Sequence, residues 1–257
     1  MVSALEHAIV VEYIPFIILL FSLYVISGGI SVQGELPAHP ATNTAFLGIG
    51  AVLASLIGTT GASMLLIRPL LQANSERRRV VHTVIFFIFL VSNIGGSLLP
   101  TGDPPLFVGY LRGVPFLWTL RLFPEWLVTC GLLLVVYYIW DSLAWRHEER
   151  KDIAADESQR TPLRVRGCVN LLWLLGVVLC VGLVNPEAEL PGLGVRPFPF
   201  LRELVMLLLV ALSLRTTPAG AREANRFNYH AILEVAALFV GIFLCMQVPI
   251  EILTEKG

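Results

Sequence analysis

The stretch Ser92-Asn93-Ile94-Gly95-Gly96-Ser97-Leu98-Leu99-Pro100-Thr101-Gly102-Asp103-Pro104-Pro105 constrains this chain more than any other. It lies between two apolar runs, 80–91 and 106–111. Neither run alone can cross a bilayer, which takes about 20 residues. Together they are long enough, so the polar middle is a break inside one membrane-crossing helix, near mid-depth. Irregular backbone survives at that depth only when it is buried in protein or lines a wet cavity. Breaks of this kind are where secondary transporters bind substrate and ions.

Composition supports a membrane setting. Of 257 residues, 56% are hydrophobic and 14% charged, with a mean hydropathy of +0.75; a soluble domain carries about 25% charge. The first apolar run starts near Ile9 and is too long for the apolar part of a cleaved signal peptide. The four cysteines, Cys130, Cys168, Cys180 and Cys245, lie in or beside apolar runs without metal-ligand spacing, and read as small buried hydrophobes. A net charge of −1 gives no basic footprint for nucleic acid. The fold class is an all-α polytopic membrane protein.

In chain order, 10–30 is a first span, with Glu12 at its interfacial start. The stretch 45–71 is apolar but interrupted by Gly58-Thr59-Thr60-Gly61-Ala62-Ser63. It reads as a re-entrant hairpin with arms of about 12 residues, roughly 18 Å at 1.5 Å per residue, with a single tilted helix as the alternative. The tip offers the hydroxyls of Thr59, Thr60 and Ser63 and the free amides opening the second arm. Arg68 snorkels to the interface. The broken helix covers 80–112, an interfacial segment with aromatic anchors 113–125, and a clean span 127–145. A charged linker, 146–166, follows. Residues 168–184, 200–214 and 229–250 complete about five full spans besides the hairpin. Residues 1–145 thus form one transport unit and 167–257 carry additional spans.

With a hairpin at 45–71, the loops 72–79, 146–166 and 215–228 share one side and hold 12 of the 18 basic residues. The excess places them in the cytoplasm. A plain crossing helix at 45–71 would separate Arg77–Arg79 from the other two loops.

The break has its own chemistry. Gly95 and Gly96 let the chain leave the helix without a Cβ penalty, and the first half-helix ends in free carbonyls that suit a cation. Pro100 and Gly102 keep the linker non-helical. Asp103 is an N-cap and Pro104 sits at the first helical position. Asp103 is the only acidic residue between Glu76 and Glu125, and a carboxylate at that depth costs about 2.5–3.5 kcal/mol unless paired or hydrated. It therefore reads as a cation or proton ligand, with a pure capping role as the alternative. Ser92, Asn93, Ser97 and Thr101 add hard oxygens, and Na⁺ is expected near Asn93, Thr101 and Asp103. Histidine as a side-chain type exchanges its proton in the neutral range, but His82, alone at a membrane edge, is read as outside the coupling machinery. Glu203 and Glu234 lie at or in apolar runs, with Glu234 the better interior candidate.

The 92–105 stretch resembles the signature of the ion transporter superfamily, which includes bacterial sodium/proton antiporters, arsenite efflux pumps and citrate or dicarboxylate carriers. The tip Gly58-Thr-Thr-Gly-Ala-Ser-Met64, followed by Arg68-Pro69, is similar to the hairpin tip preceding that signature. The runs 82–89 and 109–119 look closest to the sodium:proton antiporter and citrate transport branch. The resemblance is specific over 10–125. It implies two inverted repeats, each a hairpin plus a broken helix around a central site. Only the first is found here, with Glu234–Phe243 resembling the start of the second, so the chain is expected to be a fragment. Some antiporter relatives carry Asp-Asn at the hairpin tip and the dicarboxylate carriers Ser-Asn-Thr; this tip has Gly58-Thr59-Thr60.

The expected function is ion-coupled secondary transport by alternating access in a bacterial inner membrane. Sodium/proton antiport comes first, citrate or another organic anion with cation coupling second, and a non-transporting scaffold third. No nucleophile–base pair or metal motif marks an enzyme. The expected partners are the lipid bilayer, a small inorganic cation or organic anion, and a second copy in a homodimer. The coupling ion is Na⁺ and/or H⁺, with no cofactor.

Overall fold

The computed structural model describes residues 6–34, 37–148, 164–184 and 198–256, without the side chains of 251 and 253–256. The described chain is helical apart from one two-stranded ribbon. Helix α1, Ile14–Ser27, starts on Pro15 and is preceded by a π-helical turn, Ala8–Tyr13. Helices α2, Pro40–Ile57, and α3, Thr59–Ala73, form the hairpin. The broken helix is α4, Val81–Leu90, a 3₁₀ turn, Ile94–Leu98, and α5, Pro104–Leu111. A second 3₁₀ turn, Trp118–Leu122, runs into α6, Phe123–Trp145. Then follow α7, Val169–Leu183, α8, Leu201–Thr216, the short α9, Ala221–Ala224, and α10, His230–Lys256. Five segments are long and apolar enough to cross a membrane: Ala8–Ser27, Pro40–Ile57, Val81–Leu98, Trp118–Trp145 and His230–Ile250.

Helices α2 and α3 pack antiparallel on either side of Gly58. Asn43, in the first turn of α2, and Asn74, capping the end of α3, exchange side-chain hydrogen bonds at 2.8 and 3.0 Å. Both open ends of the hairpin therefore lie at one end of the bundle. The arms are longer than expected, 18 and 15 residues, because Pro40 starts α2 five residues before the apolar run. Gly58 makes the turn between them at φ +80° and ψ 150°, a region that side-chain-bearing residues essentially do not enter.

Helix α1 is the central strut. It is apolar on every side, which marks a helix buried all round; it packs against α3, α7 and α8 and touches α5 and α10. Its Phe16, Leu19 and Leu23 belong to one core with Leu47 and Ala51 of α2, Leu65 and Leu66 of α3, Phe87 and Leu90 of α4, and Phe107 of α5. In contrast, α6 and α10 are peripheral. Leu132, Val135, Ile139 and Leu143 of α6 and Leu233, Leu238 and Val248 of α10 are exposed, as lipid-facing residues are.

The basic loops gather where the hairpin opens. The Glu148 carboxylate accepts the backbone amides of Arg78 and Arg79 at 3.3 and 3.1 Å. Arg68 Nη1 donates to the Ala224 carbonyl at 2.9 Å, so it is tied to the 215–228 loop. Asn225 donates to the carbonyls of Gly28 and Ile30, and Asn170 to that of Gly29. These donors satisfy the carbonyls of the turn that follows α1.

Several expectations change. Strand β1, Ser31–Gln33, pairs antiparallel with β2, Arg164–Arg166, where loop and linker were expected; each is a three-residue alternation too short to stand out in the sequence. The remainder of the linker, 149–163, and the loop stretch 185–197 lie outside the described residues. Helix α6 starts at Phe123, not 127, because Pro124 suits a first turn. The 113–125 segment keeps exposed Leu117, Trp118 and Phe123, yet Thr119 is buried and donates to the Leu98 carbonyl at 2.9 Å, which pins the segment onto the break. Cys130 and Cys180 are buried as expected, whereas Cys168 and Cys245 are exposed.

Candidate functional site

The hairpin tip and the helix break meet and are bonded through their backbones. The N–H of Thr59, the first residue of α3, donates to the Gly102 carbonyl at 3.0 Å. Gly95 and Gly96 are buried in the 3₁₀ turn. A methyl group on Gly95 would come within 2.8 Å of the Ala51 backbone in α2, and one on Gly96 within 2.7 Å of the Gly102 carbonyl oxygen. A methyl group on Gly102 would strike Gly96. Glycine is therefore required here for close approach as well as for leaving the helix. Ser55 of α2 donates to the Gly95 carbonyl. The Ser63 and Ser92 hydroxyls, one from each element, are 2.7 Å apart and hydrogen-bonded.

The other expected residues divide by environment. Ser97 turns back on its own turn and donates to the Ile94 carbonyl at 2.7 Å. Thr101 is 2% exposed, and its hydroxyl has no hydrogen-bond partner. Asp103 occupies the N-cap of α5 in extended conformation, as the Asp-Pro-Pro order requires. Its carbonyl accepts the amides of Leu106 and Phe107 at 3.1 and 3.2 Å. Its half-buried carboxylate makes no capping hydrogen bond, so the pure-cap alternative does not describe it. Thr60 and Asn93 are exposed. Of the three residues expected around Na⁺, Asn93 is exposed, Asp103 half-buried and Thr101 buried.

Between the tip, α1 and α10 lies a cavity of about 40 Å³, lined by Gly58, Thr59, Thr60, Gly102, Pro104 and Ile232 among others. Hydrogen bonds from Tyr13 Oη to the Ala236 carbonyl (3.0 Å) and from Tyr24 Oη to the Asn228 carbonyl (2.8 Å) hold α10 against α1. A space of that size suits a water or a bare ion. Sites for organic ligands run to about 300–1,000 Å³. An organic anion would enter only if the hairpin, the break or α10 moved apart.

Sequence reasoning missed the most buried charge among the described residues. Asp141 of α6 is 0% exposed. It receives two hydrogen bonds from Arg77, at 2.6 and 3.1 Å, and lies 2.8 Å from His82 Nε2. His82 is therefore not a lone edge histidine. The available signal was a single Asp inside an apolar span, which marks a functional candidate by default. Glu12 is also corrected: it is buried and ion-paired with Arg112 at 2.8 Å, because the π turn carries it inward. Glu203 is buried against Arg202 at 2.7 Å, whereas Glu234 is exposed.

No curated protein and no solved structure matches the chain. A family match exists and extends over the whole sequence, including the hairpin, the break and the spans that follow. The chain belongs to the family described as "Putative citrate transport", which it matches over residues 1–257.

Proposed function

We propose that this chain forms a cation-coupled transport site for citrate or a closely related organic anion. The observation that carries this reading is the junction of Thr59 with Gly102, beside an unpartnered buried Thr101 hydroxyl and the uncapped Asp103 carboxylate. The oxygens of Thr101 and Asp103 supply hard ligands for a small cation. The N-terminus of α3 opens at the junction, and a helix N-terminus favours a carboxylate, whereas α5 begins on Pro104 and Pro105, which have no N–H to offer. A cation held at the break brings positive charge to a polycarboxylate, so the two ligands reinforce each other by linkage. The small cavity fits an occluded state between two openings of an alternating-access cycle.

Sodium/proton antiport is a second reading. It is favoured by Asp103 itself, because one uncapped carboxylate suits exchange between Na⁺ and H⁺ and needs no room for an anion.

Vesicle flux separates the two. The full-length transporter that contains this chain, in proteoliposomes, is expected to take up labelled citrate down an imposed cation gradient, and Asp103→Asn to remove the cation dependence. Citrate-independent collapse of a pH gradient by Na⁺ would favour antiport. Neither activity in the well-inserted full-length transporter would reject both readings.

A further inference from the structure

At the open end of the hairpin, away from the tip, four ionisable side chains are buried together. Asp141 takes Arg77 through both oxygens, and its Oδ1 also meets His82 Nε2 at 2.8 Å. Arg77 Nε is 3.9 Å from Glu148 Oε1, with each side chain 2% exposed. Asn43 and Asn74 fill the remaining polar positions, and the Arg77 guanidinium also reaches the Ala38 carbonyl and the Asn74 side chain at 3.3 Å each. The cluster thus joins both ends of the hairpin, the start of α4 and the end of α6.

Its charge depends on one proton. Asp141 and Glu148 carry two negative charges and Arg77 one positive. Counting these four side chains alone, a neutral His82 leaves −1, whereas an imidazolium balances them. Buried charge without compensation is costly, and histidine is the side chain whose proton exchange falls in the physiological range. His82 keeps 7% of its surface exposed. It lies on the wall of a cavity of about 470 Å³ lined by Arg79, Val136, Ile139, Trp140, Leu143, Ala144 and His147. Arg79 and His147 oppose protonation from the cavity side, and the carboxylates favour it from the buried side. The Tyr137 and Trp140 rings stack beside the imidazole, at 5.8 and 6.1 Å between centroids.

We propose that His82 is a proton-binding site whose occupancy locks the open end of the hairpin to α4 and α6. With the proton bound, His82 and Arg77 both pair with Asp141 and the hairpin base is held. With the proton released, the cluster carries −1, the His82–Asp141 attachment loses its ionic part, and the base loosens. Proton binding stands on the cluster alone; its consequence for flux rests on the transporter reading.

Trp140 supplies a readout that does not depend on transport, because an imidazolium stacked on an indole quenches its fluorescence. The purified full chain is expected to lose Trp140 emission on acidification between about pH 8 and 5. The transition should vanish in His82→Gln, which keeps an N–H donor for Asp141, and in Trp140→Phe. It should persist in His147→Gln. A transition that survives His82→Gln, or follows His147, overturns the proposal, as does its absence from the unmodified chain. Trp140→Phe keeps the test decisive if His82→Gln does not fold. In proteoliposomes, flux should fall across the same acid range, and His82→Gln should flatten that profile. Unaltered pH dependence of flux in His82→Gln overturns the lock. Absence of any flux, with the fluorescence transition intact, rejects the transporter reading and leaves the proton site standing.

Discussion

Thr101 shows what a single side chain does at this site. A buried hydroxyl without a partner costs about 1–3 kcal/mol, and the chain around it gives it none. Thr101→Val has the same shape and removes that cost. The variant is expected to unfold at a higher temperature in detergent. Its cation-dependent flux should fall about tenfold or more, since a lost charge-assisted contact of about 1.5–3 kcal/mol is worth at least that factor. Thermal unfolding and flux on the same preparation check the pair; reduced stability with unchanged flux would assign the hydroxyl a packing role. At this scale the sequence was partly legible. Asp103 was identified because Asp-Pro-Pro is a local signal, and its N-cap position is as read. Asp141 was not, because its partners Arg77 and His82 lie 64 and 59 residues away, and only the fold brings them together.

Between elements, the hairpin and the broken helix behave as one interlocked pair. The Gly95–Ala51 and Gly96–Gly102 approaches leave no room for a β-carbon, and small residues at helix contacts are how membrane helices come close. The Ser63–Ser92 hydroxyl contact offers a lock. In a background without the native cysteines, Ser63→Cys with Ser92→Cys is expected to form a disulfide under mild oxidant, since sulfurs in place of these oxygens fall near bonding geometry. If transport needs the tip and the break to separate, oxidation should stop flux and reductant restore it. Flux that continues through the cross-link would show that the two move as one body. The hairpin itself was legible because Gly58 interrupts an apolar run with a conformation that needs glycine. Its arm lengths were not, since 40–44 is polar and joins α2 only through the Pro40 start and the Asn43–Asn74 pair. The π turn at Ala8–Tyr13 has no sequence pattern of its own.

For the whole molecule, the bundle has one basic end. Arg68, Arg77, Arg78, Arg79, Arg222 and Arg226 all lie in or are tied to loops at the side where the hairpin opens. The charge bias read from the sequence and the packing of the loops agree on which segments share a side. By the positive-inside rule that side is expected to be cytoplasmic. Cys168, exposed at the start of α7 beside Gly167 and Gly29, tests it in the native chain. A membrane-impermeant thiol reagent is expected to label Cys168 in inside-out vesicles and not in intact cells, with Cys168→Ser removing the label. Labelling of intact cells would invert the orientation.

Gly58 carries a consequence for inheritance. Every amino acid one nucleotide away from a glycine codon brings an L-configured β-carbon, and at φ +80° and ψ 150° none of them is admitted without strain. The hairpin tip therefore has no adjacent step by which it can drift. A lineage that loses this glycine must rebuild the turn elsewhere or give up the junction that the turn creates.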